Sequence, residues 1–460
     1  MDTSKRRRRE DDDDAADRLF ELPDGILHDL LSRIGPHQAV QTSVLSRRWR
    51  HLWREVLRAN VIIDEREFAG VQWERFEDFA DQALLSIPPE KKLDFFHLNL
   101  VRRPRGSSKN NPTFETSDRW IRRGLRHCPA AVDIRTAHED TICWRPYWSY
   151  FSAPSPQPDL SACGLSAAGF TGRLTTLRLL GVDMWATAFL EDLGRYCPVL
   201  EDLHVERCRM LDLTTVASPT LRSLAIVEPR RPLTCAHLRI VAPLLARLRL
   251  ELAYDGYECH CVAEALASGG DVPPQVQLPL ITDASIQLTD TSFDGQANQR
   301  QRARKKRKLE FLKSMRGLVA LLPDVINLQL AGFTTMALIE EEFPVLHCLK
   351  ILILERCDIR VESQALTGIL PNTPDLENLG LHHCTFLGPP AKKSRNRSQQ
   401  PSKRRSTTPY DFWTGKLKSI KIKQHQQDES QIAKVLAQIS ERMQPELWRQ
   451  VTISSTIVVE

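Results

Sequence analysis

The 460-residue chain is 42% hydrophobic and 26% charged, and its 63 Lys and Arg against 58 Asp and Glu give a net charge of +5. This composition is typical of a globular protein with a sizeable core, and the length corresponds to about three domains of roughly 150 residues each. No apolar run is long enough to span a bilayer, and the basic residues at the start have no apolar segment behind them, so the sequence predicts neither a membrane protein nor a secretory signal.

A charged tail, residues 1–16, is predicted to be disordered because nothing in it can pack. Residues 17–58 then have the pattern of three short helices. Pro23 suits a first helical position, Gly35-Pro36 separates the first helix from the second, and Ser46 can cap a third helix that carries Trp49. About forty residues bury too little surface to be stable alone, so this many apolar positions indicate a partner surface.

Several pieces of this segment fall in the order of a known module. They are Leu22-Pro23-Asp24, Ile26-Leu27, Ala39-Val40, Thr42 to Trp49 (TSVLSRRW) and Leu52-Trp53. The segment resembles the F-box of plant F-box proteins with leucine-rich repeats, with Gly35 where the family more often has a larger residue or proline. A fragment of an ordinary helical core is the alternative, and it is disfavoured because periodicity alone would not produce these pieces together. The resemblance implies docking on a Skp-type adaptor through Leu22, Pro23, Ile26, Leu27, Leu30, Val44, Leu45 and Trp49.

An amphipathic helix is predicted over residues 67–86, and Pro88-Pro89 ends it. From about Leu93 onward an irregular repeat, P-x-L-x-x-L-x-L-x-x-C, appears in its best form at residues 198–208 and 374–384. Leu177, Leu203, Leu224 and Leu248 mark successive copies, 26, 21 and 24 residues apart, which is the spacing of leucine-rich repeats. Further copies centre on Leu328 and Leu352, with weaker candidates at Phe96/Leu98/Leu100, Val132/Ile134 and Ile286/Leu288.

The two leucines of L-x-L point to one face of a strand, and one such strand cannot bury them alone. Stacked parallel strands give a continuous core. The sequence therefore predicts an α+β, α/β-solenoid fold, in which the three-helix F-box (17–58) precedes a leucine-rich-repeat horseshoe (59–413) with parallel strands. Unrelated strands of an α/β domain are the alternative, and they are disfavoured because prolines and cysteines recur in phase with the leucines. Between Leu250 and Val325 the phasing is poor, and one or two unrecognised strands are expected there.

Four polar, Pro-rich or basic segments are predicted as surface loops, the last two of them disordered. They are Arg102–Asp118, Phe151–Ser161, Thr291–Lys308 and Gly388–Pro409.

Residues 414–460 are predicted to form a strand, a helix and a second strand. Residues 416–423 alternate in polarity, a capping box at Asp428 and Gln431 begins the helix, and Pro445 closes it before a strand over residues 448–459. This tail resembles the small FBD-like module that follows the repeats in these plant proteins. The alternative is that it is the capping repeat of the solenoid.

No catalytic residue or cofactor is predicted. Cys259-His260-Cys261 has no second ligand pair at suitable spacing, so no metal site is predicted there. Eleven cysteines in no framework spacing indicate reduced thiols, as in the cytosol or nucleus. Cys208, Cys357 and Cys384 occupy the inward position after a strand and are predicted to be packing residues.

Three basic clusters remain, of which residues 300–308 form one. The other two are similar to single and two-part nuclear import signals, and a solvated linker is the alternative reading of each. They consist of Lys5, Arg6, Arg7, Arg8 and Arg9, and of Lys392 and Lys393 with Lys403, Arg404 and Arg405. The chain is expected in the nucleus and cytoplasm, with the nucleus favoured. Few aromatic residues are interleaved with these charges, so nucleic acid is a disfavoured partner.

The resemblance implies a non-catalytic substrate receptor of an SCF-type (Skp–cullin–F-box) ubiquitin ligase in ubiquitin-dependent degradation. The adaptor would link the F-box to cullin and a RING protein, and the repeats would hold an unidentified target protein, so that the chain contributes proximity. Two alternatives stay open. One is a nuclear nucleic-acid-binding protein that uses its basic clusters, and the other is an F-box scaffold that never assembles with cullin.

If the leucines of each strand point inward, the intervening residues line the concave face of the horseshoe. The predicted target-binding residues are Arg178, Asp202, His204, Glu206, Arg247, Arg249, Glu251, Asn327, Gln329, Glu355, Asn378 and His382. This face is polar and mixed in charge, which suits specific protein recognition better than a phosphate backbone. Binding of the target by the loop Thr291–Lys308 is the alternative.

Overall fold

The computed structural model describes most strands of the chain and the helices beside them. The described residues are 22–33, 42, 48–49, 52, 60–101, 112–138, 142–144, 172–184, 188–191, 193–210, 215–228, 239–254, 281–290, 319, 322–332, 344–357, 359, 366, 369–386, 416–424, 429–441 and 443–457. The chain divides into two compact units, Met1–Asp183 and Met184–Glu460.

The first unit begins with helix α1, Asp24–Arg33, which starts one residue after Pro23. The backbone N–H groups of Ile26 and Leu27 donate to the carbonyl of Pro23, so proline lies at the edge of the first turn. Of the other two helices predicted for the F-box segment, only positions 42, 48, 49 and 52 are described, so the three-helix arrangement stays a prediction.

The rest of the first unit alternates strands and helices. Its elements are β1 (Asn60–Asp64), a 3-10 helix (Glu65–Phe68), α2 (Trp73–Leu85), β2 (Phe95–Leu100), α3 (Pro112–Leu125), β3 (Ala131–Thr136), β4 (Cys143–Trp144) and β5 (Thr176–Leu180), with the two-residue β6 (Asp183–Met184) at its end. β1, β2, β3 and β5 form a parallel ladder in that order. β2, β3 and β5 are the strands predicted around Leu98, Ile134 and Leu177.

Three predictions for this unit need correction. β1 was not predicted, because NVIID carries no leucine. The helix predicted from residue 67 begins at Trp73, since the preceding residues form the 3-10 turn and Gly70 takes a φ of 81°. The loop predicted over Arg102–Asp118 is wrong from Pro112 onward, where α3 begins. Pro112 needs no backbone N–H at a first helical position, and the buried Trp120 and Ile121 anchor the helix further along.

The second unit contains most of the strands. Its elements are α4 (Ala188–Glu191), α5 (Leu193–Tyr196), β7 (Asp202–Glu206), β8 (Arg209–Met210), β9 (Thr215–Ala217), β10 (Ser223–Val227), β11 (Arg239–Val241), β12 (Arg247–Tyr254), β13 (Asp283–Asp290), β14 (Asn327–Ala331), β15 (Ile351–Glu355), a 3-10 helix (Leu370–Asn372), β16 (Asn378–His382), β17 (Ser419–Gln424), α6 (Glu429–Ser440), α7 (Pro445–Trp448) and β18 (Thr452–Ile457).

Nine of these strands, β7, β10 and β12–β18, pair in parallel in that order. The expected strand between Leu250 and Val325 is β13, around the weak candidate Ile286. The register aligns the repeat positions across the ladder, and one inward row consists of Leu203, Leu224, Leu248, Ala284, Leu328, Leu352, Leu379 and Ile420. All eight are buried, and each fully buried leucine contributes about 1.5–3 kcal/mol of transfer free energy. This large parallel sheet with few helices is compatible with a leucine-rich-repeat solenoid.

The residue after several of these strands turns the chain out of the sheet. Arg207, Arg356, His383 and Gly332 follow β7, β15, β16 and β14, and all four take positive φ values between 48° and 76°. The N–H of each then donates to the strand-end carbonyl of the next repeat, at 2.7 to 3.0 Å. Cys208, Cys357 and Cys384 immediately follow Arg207, Arg356 and His383, and all three cysteines are buried, as predicted.

The C-terminal strand, helix and strand continue the same ladder, because β17 pairs with β16 and β18 with β17. Val435 and Ile439 are buried on one side of α6, and Met443, three residues after the helix ends, is buried as well. Trp448 belongs to the short helix α7, so the final strand begins at Thr452 and the predicted start at residue 448 is wrong. The limits 414–460 as a separate domain stay a prediction.

The remaining predicted segments lie outside the described residues. These are the tail 1–16, Asp428 as a cap, the loops Phe151–Ser161, Thr291–Lys308 and Gly388–Pro409, and Cys259-His260-Cys261. Among the helices that the structure describes, none is both long and apolar enough to cross a membrane.

Candidate functional site

Helix α1 has a buried face and an exposed apolar face. Leu27 and Leu31 pack with Trp49 and Leu52, and Leu22 lies half-buried against them. Arg48 ties this cluster to the start of α1, since its guanidinium donates to Oδ1 of Asp24 at 2.7 Å and to the carbonyl of Leu22 at 2.6 Å.

The eight predicted adaptor contacts therefore separate into three groups. Leu27 and Trp49, with Leu22 at the margin, belong to the internal core of the module. Ile26 and Leu30 are 49% and 42% exposed, and Pro23 is exposed beside them. Val44 and Leu45 lie outside the described residues. Because residues four apart share a helix face, Pro23, Ile26 and Leu30 form one exposed apolar surface, which we term the α1 patch.

A second surface, the polar face, consists of the outward strand positions of the second unit. The parallel register arranges it in three rows, which begin at Asp202, His204 and Glu206 on β7. Eleven of the twelve predicted target-binding residues occupy these rows, and Arg178 lies on β5 of the first unit, in register with Asp133. Their roles in binding stay predictions.

Side-chain hydrogen bonds connect neighbouring strands along the polar face. Asn327 donates to Asp283 at 2.5 Å, Gln329 donates to Glu355 at 2.7 Å, and Gln287 donates to Glu251 at 3.1 Å. A planar amide beside each carboxylate fixes the position of that carboxylate without a charge of its own. The face is therefore a rigid polar surface over much of its width.

Glu251 is the deepest of the predicted target-binding residues, at 5% exposure. Burial raises the pKa of its carboxyl, although the backbone N–H of Glu228 donates to it at 3.3 Å. A side chain with so little exposure holds its neighbours on the face by hydrogen bonding and offers little surface to a partner.

A groove of about 350 Å³ lies on the polar face. It follows the first two outward positions of β10, β12, β13, β14 and β15, so that Arg247 and Arg249 lie toward one end and Ile351 and Ile353 at the other. Sequence reasoning identified the arginines but missed the isoleucines, because ILIL has apolar residues on both faces and no alternation that shows which point outward.

The strand β17 adds two basic side chains to the polar face, which were also missed from sequence. Lys421 and Lys423 are exposed and in register with Gly380 and His382. Burial, and then the charge of Lys423, lower the pKa of His382, which favours its neutral imidazole. The two lysines alternate with buried isoleucines, and this period-2 pattern is the signal that places them on the face.

The described cysteines of the turns are buried, and their thiols donate to backbone carbonyls. Cys357 and Cys384 donate to the carbonyls of Leu330 and Leu354 in the preceding repeat, at 3.4 and 3.2 Å. Burial raises the pKa of the Cys384 thiol well above its usual range, so the thiolate that a nucleophile requires is disfavoured. Within the described part of the chain, no group of three or more His, Cys, Asp and Glu side chains is arranged to hold a metal ion. The predicted import residues, Lys5 to Arg9, Lys392, Lys393 and Lys403 to Arg405, lie outside it.

Comparison with known proteins identifies the N-terminal module and relates the whole chain to plant proteins. The F-box domain matches residues 19–58. The meiotic F-box protein MOF of Oryza sativa subsp. japonica is 34% identical over 423 residues, which cover 88% of this chain and 80% of the rice protein. The chain belongs to the plant F-box/LRR-repeat family.

Two Arabidopsis thaliana proteins match a smaller part of this chain. An FBD-associated F-box protein is 29% identical over 46% of this chain and 48% of its own length, and F-box/LRR-repeat protein 13 is 29% identical over 45% of each. The chain therefore spans about half the length of these Arabidopsis relatives. The resemblance to F-box proteins with leucine-rich repeats is confirmed, and no enzyme family is indicated.

Proposed function

We propose that this F-box protein is the substrate receptor of an SCF-type ubiquitin ligase. The α1 patch docks on a Skp-type adaptor, which links the chain to cullin and a RING protein, and the polar face of a repeat horseshoe holds the target. The chain itself makes and breaks no bond. It raises the local concentration of the target's lysines near the conjugating enzyme.

The observation that carries this proposal is the exposure of Ile26 and Leu30 on a helix whose other side is already packed. Leu27 and Leu31 pack with Trp49 and Leu52 on the other side of the helix, and this packing leaves these two large apolar side chains exposed. Exposed apolar residues that adjoin one another on one element mark interaction sites. An F-box match over these same residues supports an adaptor as the partner.

The test is co-purification of the full chain with a recombinant Skp-type adaptor. Changing Pro23, Ile26 and Leu30 to Ala should weaken binding at least 30-fold, because truncating a buried apolar anchor costs about 2 kcal/mol or more. A matched control changes Val199, Leu244 and Val345 to Ala, which are also exposed apolar residues but lie in the second unit. Equal adaptor recovery from both variants would refute the assignment of the α1 patch.

Cullin assembly is tested in plant tissue by the same pair of variants. The wild-type chain should recover both adaptor and cullin. Recovery of adaptor without cullin would favour the scaffold alternative, and nuclease-sensitive recovery of nucleic acid without adaptor would favour the nucleic-acid alternative. Because the rice relative is named as a meiotic F-box protein, meiotic cells are the tissue in which we propose to search for the target.

We also propose nuclear accumulation, supported by the two basic clusters at residues 5–9 and 392–405. Replacing Arg6–Arg9 and Lys403–Arg405 with Ala should shift a fluorescent fusion toward the cytoplasm, because a 52.5 kDa chain with its tag enters the nucleus slowly by diffusion. A control that exchanges Arg and Lys at these positions retains the charge and should leave the distribution unchanged. Unchanged distribution of the Ala variant would exclude both clusters as import signals.

A further inference from the structure

The two ends of the groove on the polar face differ in chemistry: one end carries two arginines and the other carries two isoleucines. At one end, Arg247 and Arg249 are exposed, and Arg247 meets Asp202 only at 4.0 Å. Among the described residues, no hydrogen bond or ion pair holds the guanidinium of Arg249, and its charge acts only electrostatically on the buried Glu251. A guanidinium has five N–H donors in a planar fork that fits a carboxylate.

At the other end, Ile351 and Ile353 are half-buried on the polar side of β15. The strand beyond Ile353 carries Gly380 in register with it, so the directly paired position of β16 has no side chain. A Cβ at Gly380 would lie 3.3 Å from Cγ1 of Ile353 and 3.3 Å from Nε2 of His382, so the His382 ring borders this end of the groove. Both isoleucines line the groove and are only half-buried, so they present apolar surface that an aliphatic side chain can contact.

On the strands between the two ends, the polar side chains already form hydrogen bonds with one another. Ser285 donates to Oε1 of Gln329 at 3.4 Å, Gln329 donates to Glu355, and Asn327 donates to Asp283. These polar groups have partners already, so binding energy is available chiefly at the arginine and isoleucine ends. The hydrogen bonds also fix the separation of those ends.

We propose that the groove binds an extended segment of the target in which an Asp or Glu and an aliphatic residue lie four positions apart. This inference rests on the proposed function and names the chemistry of its target. Arg249 and Ile353 belong to one row, three strands apart, which is about 14 Å at roughly 4.8 Å per strand. Four extended residues at about 3.3 Å each span that distance.

The net charge of the groove favours a carboxylate over a phosphate group as the ligand. The groove carries Arg247 and Arg249 against Asp283, a net charge of +1 that one carboxylate neutralises. The polar face as a whole has five carboxylates (Asp202, Glu206, Glu251, Asp283 and Glu355) against four Arg and Lys (Arg247, Arg249, Lys421 and Lys423) at its outward positions. A doubly charged phosphate would meet repulsion from these carboxylates.

The experiment uses the full chain and an array of twelve-residue Gly/Ser peptides as probes. Each peptide carries one Glu and one Leu, separated by one to nine positions in either order, and matched peptides carry Gln or phosphoserine in place of Glu. We expect the strongest signal at a separation of four, at least fivefold above the Gln peptide. Arg249→Glu should abolish this difference, and Ile353→Thr should abolish the preference for a separation of four.

The matched control is the double variant K434E/R449E, which reverses two exposed charges outside the groove and should bind like the wild type. A signal that is insensitive to Glu→Gln or to Arg249→Glu, or the absence of signal at every separation, would overturn the proposal. A maximum at nine positions would identify a helical segment at about 1.5 Å per residue and overturn the extended one. Preference for phosphoserine would overturn the carboxylate.

Adaptor recovery is measured in parallel on the same groove variants. Arg249→Glu and Ile353→Thr leave the α1 patch intact and should retain the adaptor. A groove variant that loses the peptide and retains the adaptor therefore reports on the groove alone. An α1-patch variant that still binds the adaptor would refute the proposed function without bearing on the groove.

Discussion

Nδ1 of His97 lies 3.5 Å from Oδ2 of Asp133, on neighbouring parallel strands, and neither side chain is more than 10% exposed. Arg135, two residues along the same strand as Asp133, donates to the same carboxylate at 2.8 Å. Burial by itself would raise the pKa of Asp133, but the hydrogen bonds from His97 and Arg135 outweigh it and hold the pKa well below its usual value. The ionised carboxylate is therefore a stabilising part of the first unit.

The first prediction is a pH-dependent loss of stability in Asp133→Asn. Since the pKa of the folded state is depressed, the stabilisation is complete above the unfolded-state value of about 3.9 and disappears as the pH falls through the folded value. The variant should lose about 1–3 kcal/mol at pH 7, the cost of removing a buried charged hydrogen-bond partner. Urea unfolding at pH 7 and at several values below 4 measures this difference, which should shrink as the pH falls.

The control for this experiment is Asp324→Asn, which alters an exposed aspartate of the second unit. It should leave the unfolding free energy within about 0.5 kcal/mol of the wild type. A constant difference between Asp133→Asn and the wild type down to the lowest pH would contradict a stabilising role for the ionised form.

The second prediction concerns thiol reactivity. Cys348 is exposed, whereas Cys197, Cys208, Cys357 and Cys384 are buried. Alkylation with iodoacetamide at pH 8, followed by mass spectrometry, should label Cys348 within minutes and the buried four only after unfolding in urea. Rapid native labelling of Cys384 would contradict the packing role, because burial raises the pKa of its thiol.

The third prediction compares two helical glycines with opposite surroundings. A Cβ at Gly124 in α3 would meet the ring of Phe96 at 2.6 Å, whereas nothing lies within 4 Å of one at Gly25 in α1. Gly124→Ala should destabilise the chain by about 1–3 kcal/mol through overpacking. Gly25→Ala should be neutral or stabilising by up to about 1 kcal/mol, through helix propensity. Thermal unfolding of both variants measures the contrast, and equal effects would show that Phe96 relaxes without cost.

The repeat strands could be predicted from sequence wherever leucines mark the inward positions. Leu203, Leu224 and Leu248 are in register and buried, as their 21- and 24-residue spacing indicates. β1 was missed because its inward residues are Val61 and Ile63, which have no leucine signature. α3 was missed because its first turns are polar, and its packing depends on contacts that are remote in sequence. Asp81 of α2 accepts hydrogen bonds from the Trp120 indole at 3.0 Å and from Arg123 at 2.5 Å.

The sequence predicts where the candidate site lies, but it does not predict how deeply each of its side chains is buried. The L-x-L pattern places Arg249 and Glu251 on one face, yet only the structure shows that Arg249 is exposed while Glu251 is buried beneath Gln287. Likewise, helical spacing places Leu27 and Leu30 near each other on α1. The packing of Trp49 and Leu52, which are distant in sequence, decides that Leu27 is core and Leu30 is surface.

The last prediction concerns the turns that follow the strands, where Arg356 and Gly332 take φ values of 48° and 76°. Left-handed backbone costs a residue with a Cβ about 1–2 kcal/mol, a cost that glycine does not have. Gly332→Val should therefore destabilise the chain by at least about 1 kcal/mol, while Arg356→Gly should be neutral or stabilising by up to about 1 kcal/mol. The ion pair that Arg356 makes with Glu355, at 3.8 Å and half exposed, is too weak to reverse that sign.

Urea unfolding of the two single variants measures both effects. The N–H of each residue donates to the next repeat, and neither substitution removes that backbone hydrogen bond, so the difference reports chiefly the backbone conformation. A destabilised Arg356→Gly with an unaffected Gly332→Val would show that the side chains, and not the left-handed backbone, determine the stability of these turns.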